Sequence, residues 1–293
     1  MELKGIITAM VTPFDENQEI NPKATKQLIN KLINAGVDGI FIMGTNGEFH
    51  LLTDEEKVAF AKLVIDEVNK RVPVYVGTGG NSTREVIALS KKMEAIGADA
   101  LSVITPFFLV PTQEEVIKHY KAIASAVKIP IILYNIPKNT GMNLEPDTIA
   151  ELAKAKNIAG IKDSSGKIEN IQSYIEAAKG EDFSVLSGSD SLILKALQLG
   201  ATGAIAATSN LLTELDVSIY QNFLKGDMEA AEKAQKDIDV LRGVLKLGTV
   251  PSILKKSVEL SGIPVGLARL PVTEPNEETI GKIKEMLVYY KMV

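Results

Sequence analysis

Short apolar runs recur along the chain at regular intervals, and a longer segment with helical periodicity follows most of them. The runs are nearly continuous in apolar residues, which is typical of parallel strands that are covered on both faces. We predict eight strands, at residues 5–11, 38–43, 73–78, 99–104, 129–135, 157–162, 183–188 and 203–207. Eight strand–helix units in succession favour a (β/α)8 TIM barrel.

Helix start signals lie between the predicted strands. Asn21 followed by Pro22 is typical of an N-cap with proline at the first helical position, and we expect that helix to stop at Gly36. Three more helices begin with the spacing of a capping box, at Thr53 and Glu56, Ser82 and Glu85, and Thr112 and Glu115. A doubly wound sheet is the alternative fold, but it usually has a glycine-rich nucleotide turn after its first strand, and residues 10–14 (MVTPF) contain no glycine.

The strand pattern does not return after Asn210. Helical patterns follow at residues 212–224, 228–246, 250–261 and 275–290. We therefore predict a barrel of residues 1–224 that carries the active site, and a small C-terminal helical extension of residues 225–293. We expect the extension to cover the surface or to make a subunit contact.

Composition narrows the classes of function. The chain has 293 residues and no cysteine, so disulfides and thiolate metal sites are excluded. Its formal net charge is −5 and its basic residues form no block, which argues against a nucleic-acid partner. No apolar run approaches ~18 residues and the first residues contain no signal-peptide core, so we expect no membrane partner and a cytoplasmic location. His50 and His119 lie in no metal-ligand spacing, and we expect neither a metal nor a cofactor.

Candidate catalytic groups end two of the predicted strands, which is where barrel enzymes carry them. Lys162 ends the sixth strand, where burial can leave a lysine amine free to form a Schiff base with a carbonyl group. Alone, a strand-end lysine more often extends to solvent. Tyr134 lies near the end of the fifth strand; its phenol could transfer the proton that carbon–carbon cleavage requires, but alone it is a packing aromatic. We expect Asp163 to point away from Lys162 and to lie at the rim.

A glycine-rich turn follows the second strand at residues 44–47 (GTNG). Its backbone N–H groups and the Thr45 hydroxyl suit a carboxylate or a phosphate, although a tight turn without a ligand has the same pattern. It is not a Walker loop, because no Gly-Lys-Ser/Thr follows. His50 lies on the same loop and could contact a substrate, whereas we expect His119 to be structural, at a helix surface or interface.

Four motifs occur in order along the chain: GTNGE at residues 44–48, YNIP at 134–137, GIKD at 160–163 and GSD at 188–190. Together they resemble the dihydrodipicolinate synthase / N-acetylneuraminate lyase superfamily, and the similarity runs from residue 5 to about residue 265. The resemblance implies a class I pyruvate-dependent aldolase or lyase on a TIM barrel. It also implies pyruvate and an aldehyde as small-molecule partners, no metal, and a homotetramer built as a dimer of dimers.

The resemblance also implies roles for individual residues. Lys162 corresponds to the lysine that forms an imine with the keto carbon of pyruvate, and Tyr134 to the acid/base at the substrate hydroxyl. Thr45 and the backbone of Thr45 and Asn46 would hold the pyruvate carboxylate. Two further residues would line the pocket through backbone groups, Gly188 and Ile205. An iminium ion is an electron sink, so this chemistry requires no metal.

The chain departs at three motifs from the synthases of this superfamily. Those enzymes typically carry Gly-Thr-Thr-Gly-Glu, a Tyr-Tyr pair after the fourth strand and an arginine two residues after the proline of Tyr-Asn-x-Pro. This chain has Asn46, the pair Phe107-Phe108 and Asn139 there. Phe108 cannot relay a proton, and Asn139, which we place in the substrate pocket, cannot form an arginine's bidentate ion pair with a second carboxylate. The neighbouring Lys138 is a poorer geometric match.

These departures favour an enzyme that reversibly cleaves a 2-keto-3-deoxy sugar acid or a 4-hydroxy-2-oxo acid to pyruvate and an aldehyde. The alternative is a 4-hydroxy-tetrahydrodipicolinate synthase, which joins pyruvate to aspartate semialdehyde in lysine biosynthesis. A barrel that only binds a keto acid is a further alternative. The presence of both Lys162 and Tyr134 argues against that binding-only function.

Overall fold

The computed structural model describes residues 3–293. Eight parallel strands pair in chain order and close into a barrel, because the first strand also pairs with the eighth. The strands are β1 (Gly5–Ala9), β2 (Gly39–Ile42), β3 (Val74–Gly77), β4 (Ala100–Ile104), β5 (Ile131–Asn135), β6 (Ile158–Asp163), β7 (Ser184–Ser187) and β8 (Gly203–Ala206). The predicted (β/α)8 barrel is confirmed.

The helices of the barrel lie between the strands and after β8. They are α1 (Pro22–Asn34), α2 (Asp54–Val68), α3 (Thr83–Ala95), α4 (Gln113–Ala126), the short α5 (Pro137–Thr140), α6 (Pro146–Leu152), α7 (Ile168–Ala177), α8 (Ile193–Leu199) and α9 (Thr213–Lys225). Single 3₁₀ turns follow β2, β7 and β8, at Phe49–Leu51, Asp190–Leu192 and Thr208–Asn210. These turns therefore shape the carboxyl face of the barrel, where active sites of this architecture lie.

The start signals read from the sequence form largely as predicted. The Asn21 side chain accepts a hydrogen bond from the Ala24 N–H at the start of α1. Reciprocal capping boxes form at Thr53 and Thr112. At Ser82 one of the two capping-box hydrogen bonds forms: the Ser82 hydroxyl accepts from the Glu85 N–H. Among the described residues, the Glu85 side chain does not accept from the Ser82 N–H. A single cap of this kind contributes about 1 kcal/mol to helix stability.

Two layers of apolar side chains fill the molecule. Inward-facing residues of alternate strand positions, among them Phe41, Leu186 and Ile205, form a compact cluster inside the barrel. A larger cluster lies between the strands and the surrounding helices. Burial on both faces accounts for the continuous apolar runs of the strands.

Four helices follow α9: α10 (Met228–Asp237), α11 (Asp239–Leu245), α12 (Ser252–Leu260) and α13 (Glu277–Tyr289). The single helix expected at residues 228–246 is two helices, because α10 packs on α9 whereas α11 packs on α13. The Tyr290 hydroxyl accepts from the Leu241 N–H and donates to the Asp237 carbonyl, which satisfies peptide groups where α10 ends and α11 begins.

The boundary between the barrel and the C-terminal extension, placed between residues 224 and 225, stays a prediction. Within residues 3–293, no helix combines the length and apolar character that crossing a bilayer requires.

Candidate active site

Strand pairing brings the two predicted catalytic side chains together. Tyr134 on β5 is in register with Lys162 on β6, and both side chains point into the barrel at its carboxyl end. The Lys162 Nζ lies 4.3 Å from the centroid of the Tyr134 ring and 4.9 Å from that of Phe41. Lys162 is 3% exposed, so the amine has been removed from bulk water rather than extending into it.

Thr45 connects the glycine-rich turn to this pair. Its Oγ1 lies 3.1 Å from the Tyr134 hydroxyl oxygen, and either hydroxyl can be the donor. The Phe41 ring meets the Tyr134 ring edge-on, with 6.4 Å between centroids, and so fixes the orientation of the phenol. The structure therefore places the three residues predicted as catalytic, Lys162, Tyr134 and Thr45, in one continuous group.

The turn at residues 44–48 is tightly folded. The Gly47 N–H donates to the Gly44 carbonyl, and the Glu48 N–H donates to the Thr45 carbonyl. A Cβ on Gly47 would lie 2.9 Å from the Met43 nitrogen, so the close approach of the backbone requires glycine. Glu48 itself has a left-handed backbone, with φ of 55°. Such a conformation is costly for a residue other than glycine and needs support from its surroundings.

A cavity of about 310 Å³ opens beside Thr45 at the carboxyl face. Its lining contains Thr45, Phe49, His50, Ile104, Phe107, Asn139 and Thr140. Asn139 thus lies at the predicted pocket.

His50 also lines this cavity. Burial lowers the pKa of the His50 imidazole more than the negative charge of Glu48 raises it. The ring is therefore neutral at pH 7. Phe108 is 88% exposed and lies outside this lining.

The remaining predicted binding residues differ in their placement. A Cβ on Gly188 would lie 2.9 Å from the Lys162 Cε, so the absence of a side chain leaves room for the lysine. Ile205 is buried among the inward-facing residues of the barrel. Asn46 lines a separate space of about 30 Å³, together with Leu254 and other residues of the C-terminal extension. The contact predicted between its backbone and the pyruvate carboxylate stays a prediction.

The expectation that Asp163 is a rim residue is wrong. Its side chain points away from Lys162, as predicted, but it is 1% exposed. It accepts hydrogen bonds from Asn135 Nδ2 at 2.8 Å and from Ser165 Oγ at 2.6 Å. Burial raises the pKa of this carboxyl group and these hydrogen bonds partly offset the rise. Because Asn135 follows Tyr134 and Asp163 follows Lys162, this bond ties the two catalytic strands together behind the site.

Glu48 has a role that the sequence analysis did not anticipate. It is 1% exposed, and its Oε1 lies 3.0 Å from the Nζ of Lys255, which is fully buried on α12. Its Oε2 accepts from the backbone N–H of Arg269 at 2.8 Å. The chain separation of 207 residues between Glu48 and Lys255 hides this pair from any local pattern. The described residues contain no group of three or more side chains suited to hold a metal ion.

Comparisons with known proteins match almost the whole chain to one family. The chain matches the model of the Dihydrodipicolinate synthetase family over residues 2–289. A 4-hydroxy-tetrahydrodipicolinate synthase 1 from Halalkalibacterium halodurans is 42% identical over 272 residues, covering 93% of this chain and 92% of that protein. A 4-hydroxy-tetrahydrodipicolinate synthase from Methanopyrus kandleri is 40% identical over 288 residues, covering 98% and 94%. The crystal structure of a chloride-inhibited dihydrodipicolinate synthase from Acinetobacter baumannii, complexed with pyruvate, superposes with a TM-score of 0.96 at 34% identity and covers 100% of both chains.

These matches confirm the resemblance drawn from the four motifs and the expectation of an enzyme, a carbon–carbon lyase that works through a Schiff-base lysine. The names of the relatives support the synthase alternative better than the cleavage of a sugar acid or a hydroxy-oxo acid. The chain belongs to the dihydrodipicolinate synthetase family.

Proposed function

We propose that the enzyme joins pyruvate to an aldehyde through an imine on Lys162. The observation that carries the proposal is the group formed by Lys162, Tyr134 and Thr45, in which the amine lies 4.3 Å from the phenol ring and the phenol oxygen 3.1 Å from the threonine oxygen. The lysine amine attacks the keto carbon of pyruvate, and loss of water gives an iminium ion. This ion withdraws electrons from the adjacent methyl group, which gives a proton to the water released in the condensation and leaves an enamine.

The enamine carbon then attacks the aldehyde carbon. The aldehyde oxygen becomes a hydroxyl group as it takes up a proton, and Tyr134 is the donor in this proposal because its hydroxyl is next to the open cavity. The reverse reaction begins when the same residue removes that proton. Hydrolysis of the iminium returns the free amine of Lys162.

The turn at residues 44–48 is the proposed site for the pyruvate carboxylate. Its Thr45 hydroxyl and the backbone N–H groups of Thr45 and Asn46 are donors of the kind that bind carboxylates. Gly188 has no side chain to crowd the lysine and Ile205 is buried among the inward-facing residues, and in this proposal both line the pyruvate pocket through their backbone groups. Binding of the carboxylate here would orient the keto carbon toward the amine.

Aspartate semialdehyde is the aldehyde that the comparisons favour, since the relatives at 36–42% identity are named as 4-hydroxy-tetrahydrodipicolinate synthases. That aldehyde carries a carboxylate and an amine beside the reacting group. Asn139 cannot supply a charge to its carboxylate, but Lys138 lies next to it on α5 and is exposed. We propose Lys138 as the cation that meets the second carboxylate.

The second candidate is cleavage of a 2-keto-3-deoxy sugar acid or a 4-hydroxy-2-oxo acid. The polar lining of the cavity favours it, because Asn139 and the neutral His50 are hydrogen-bonding groups without charge. Such groups suit the hydroxyls of a sugar-derived aldehyde.

Initial rates with three aldehydes at fixed pyruvate separate the two candidates. The synthase proposal requires the highest kcat/KM with aspartate semialdehyde. A clear preference for glyceraldehyde or glyoxylate would assign the enzyme to the second candidate. If no aldehyde is consumed and no pyruvate imine forms, both candidate functions are overturned and a barrel that only binds a keto acid remains.

The homotetramer and the cytoplasmic location stay predictions. Sedimentation of the pure protein tests the homotetramer.

A further inference from the structure

The buried lysine of the C-terminal extension contacts the substrate-binding side of the barrel. Lys255 Nζ lies 3.0 Å from Glu48 Oε1 and donates to the carbonyls of Thr12 at 2.9 Å and Leu267 at 2.7 Å. These three acceptors use all three N–H groups of the ammonium. The amine also lies 4.2 Å from the centroid of the Phe14 ring. Lys255 is therefore held in one position.

Two separate links run from this amine to the glycine-rich turn. The first passes through the Glu48 side chain, and the Glu48 N–H donates to the Thr45 carbonyl. The second passes through Thr12, whose carbonyl accepts from Lys255 while its Oγ1 donates to the Gly47 carbonyl at 2.6 Å. Both links end within two residues of Thr45. The extension is thus joined to the segment that faces the substrate.

The energetics argue against a purely stabilising role. Removing both charges from water costs several kcal/mol for each, and buried ion pairs can often be replaced by apolar residues without loss of stability. Burial lowers the pKa of Lys255 to about 8 although Glu48 counteracts the shift. The pair holds Glu48 in position. The two carboxylate oxygens of Glu48 accept from Lys255 and from the Arg269 N–H, and these bonds support a left-handed backbone that is otherwise unfavourable.

We propose that Lys255 is a positioning residue, which acts through Glu48 and Thr12 to hold the 44–48 turn in the conformation that binds the pyruvate carboxylate. The inference rests on the proposed function of that turn. It makes the C-terminal extension a part of the binding apparatus rather than a surface cover. Lys255 does not contact the reacting atoms, so its loss should weaken pyruvate binding more than it slows the chemistry.

The test compares Lys255→Met with Lys256→Met. Lys256 is the next residue on α12 and pairs with Glu259 and Glu274 instead of the turn, so it is a matched control. Imine formation is followed by borohydride trapping across a series of pyruvate concentrations, and turnover is measured with the best aldehyde. We expect Lys255→Met to raise the half-saturating pyruvate concentration about tenfold, because a turn that is no longer held in position loses about one hydrogen bond to the pyruvate carboxylate. The amount of adduct at saturating pyruvate should stay near that of the wild type.

Two milder variants keep the test decisive if Lys255→Met does not fold. Glu48→Gln preserves the side-chain volume and removes the charge, and Thr12→Val removes only the hydroxyl link to Gly47. Each should raise the half-saturating pyruvate concentration several-fold, while Lys256→Met changes it less than about twofold. Unchanged half-saturation in Glu48→Gln and Thr12→Val, or equal shifts in both lysine variants, overturns the inference. Absence of any adduct in the wild type overturns the proposed function first, and this inference with it.

Discussion

At the residue scale, the candidate site brings one buried amine, one phenol and one threonine hydroxyl together. Lys162 and Tyr134 share a register position on adjacent strands, and Thr45 reaches the phenol from the turn after β2. The phenol is thus held by a hydrogen bond and by the ring of Phe41. The proton-transfer role proposed for this phenol can be separated experimentally from the packing of its ring.

Replacing Tyr134 by Phe removes only the hydroxyl. We expect turnover to fall by ~10²–10⁴, because proton transfer to the substrate oxygen loses its donor, while the pyruvate imine still forms. Steady-state rates and borohydride trapping measure the two effects. Tyr120→Phe is the control, since it removes another buried phenol, whose hydroxyl donates to the Val103 carbonyl and lies away from the candidate site. A Tyr134→Phe enzyme with a rate near the wild type would assign the proton transfer to another group.

Lys138→Met tests the cation proposed for the second carboxylate. We expect kcat/KM for aspartate semialdehyde to fall about tenfold, which corresponds to the loss of one hydrogen bond to a charged group. The value for glyceraldehyde should change less than twofold, because that aldehyde has no carboxylate. Lys179→Met, at another exposed lysine, provides the baseline. Equal effects on both aldehydes would exclude Lys138 from carboxylate recognition.

At the scale of elements, the sequence was most informative where structure depends on local patterns. All eight strands lie within or close to the predicted runs, because burial on both faces makes each run almost wholly apolar. The placement of Lys162 and Tyr134 on the same face followed from the rule that strand ends of a barrel meet there, whereas their register pairing is seen only in the structure. The Glu48–Lys255 pair and the burial of Asp163 could not be found in this way, since each depends on contacts between distant segments.

The packing of α3 on α4 predicts a pH dependence of stability. The Nδ1 atom of His119, on α4, is 2.8 Å from the Oγ1 atom of Thr83, on α3. The Nε2 atom of His119 has no hydrogen-bond partner among the described residues. Burial lowers its pKa to about 4, whereas in the unfolded chain the group has a pKa near 6.5. Between these two values the unfolded chain binds a proton that the folded protein does not, so stability falls as the pH falls from about 6.5 to about 4.

His119→Leu should reduce this loss. Proton uptake by unfolded His119 lowers the free energy of unfolding by on the order of 2 kcal/mol between pH 6.5 and pH 4.5. Without the imidazole, the free energy of unfolding should decrease by that much less over the same range. Urea unfolding at the two pH values measures it. His50→Leu removes the other histidine of the chain, whose pKa burial also lowers, and so measures the contribution of that second titrating group. The same pH dependence in His119→Leu and in the wild type would show that His119 does not carry the effect.

At the scale of the whole molecule, the barrel and the C-terminal extension converge on one turn. The extension supplies Lys255 and Arg269 to Glu48, while the barrel supplies Lys162 and Tyr134 to the other side of Thr45. The catalytic group and its support therefore come from both predicted parts of the chain.

The chemistry proposed for this assembly requires no metal, since the iminium ion is the electron sink. We expect prolonged treatment with EDTA to leave the rate of aldehyde consumption unchanged within error. Abolition of activity by EDTA and its recovery with a divalent cation would contradict the Schiff-base assignment. If activity is lost, an assay after removal of EDTA by buffer exchange distinguishes loss of a metal from interference by the chelator itself.

Lys162 forms the imine in the proposed reaction, and borohydride trapping followed by peptide mass mapping shows whether it does. The protein is incubated with pyruvate and borohydride, and the modified peptide is located by mass spectrometry. Lys162→Met serves as the negative control, and Lys255 is the competing buried lysine among the described residues. We predict a single reduced pyruvyl group on Lys162 and none in the variant. An adduct on Lys255 or on any other lysine, or no adduct at all, would contradict the account.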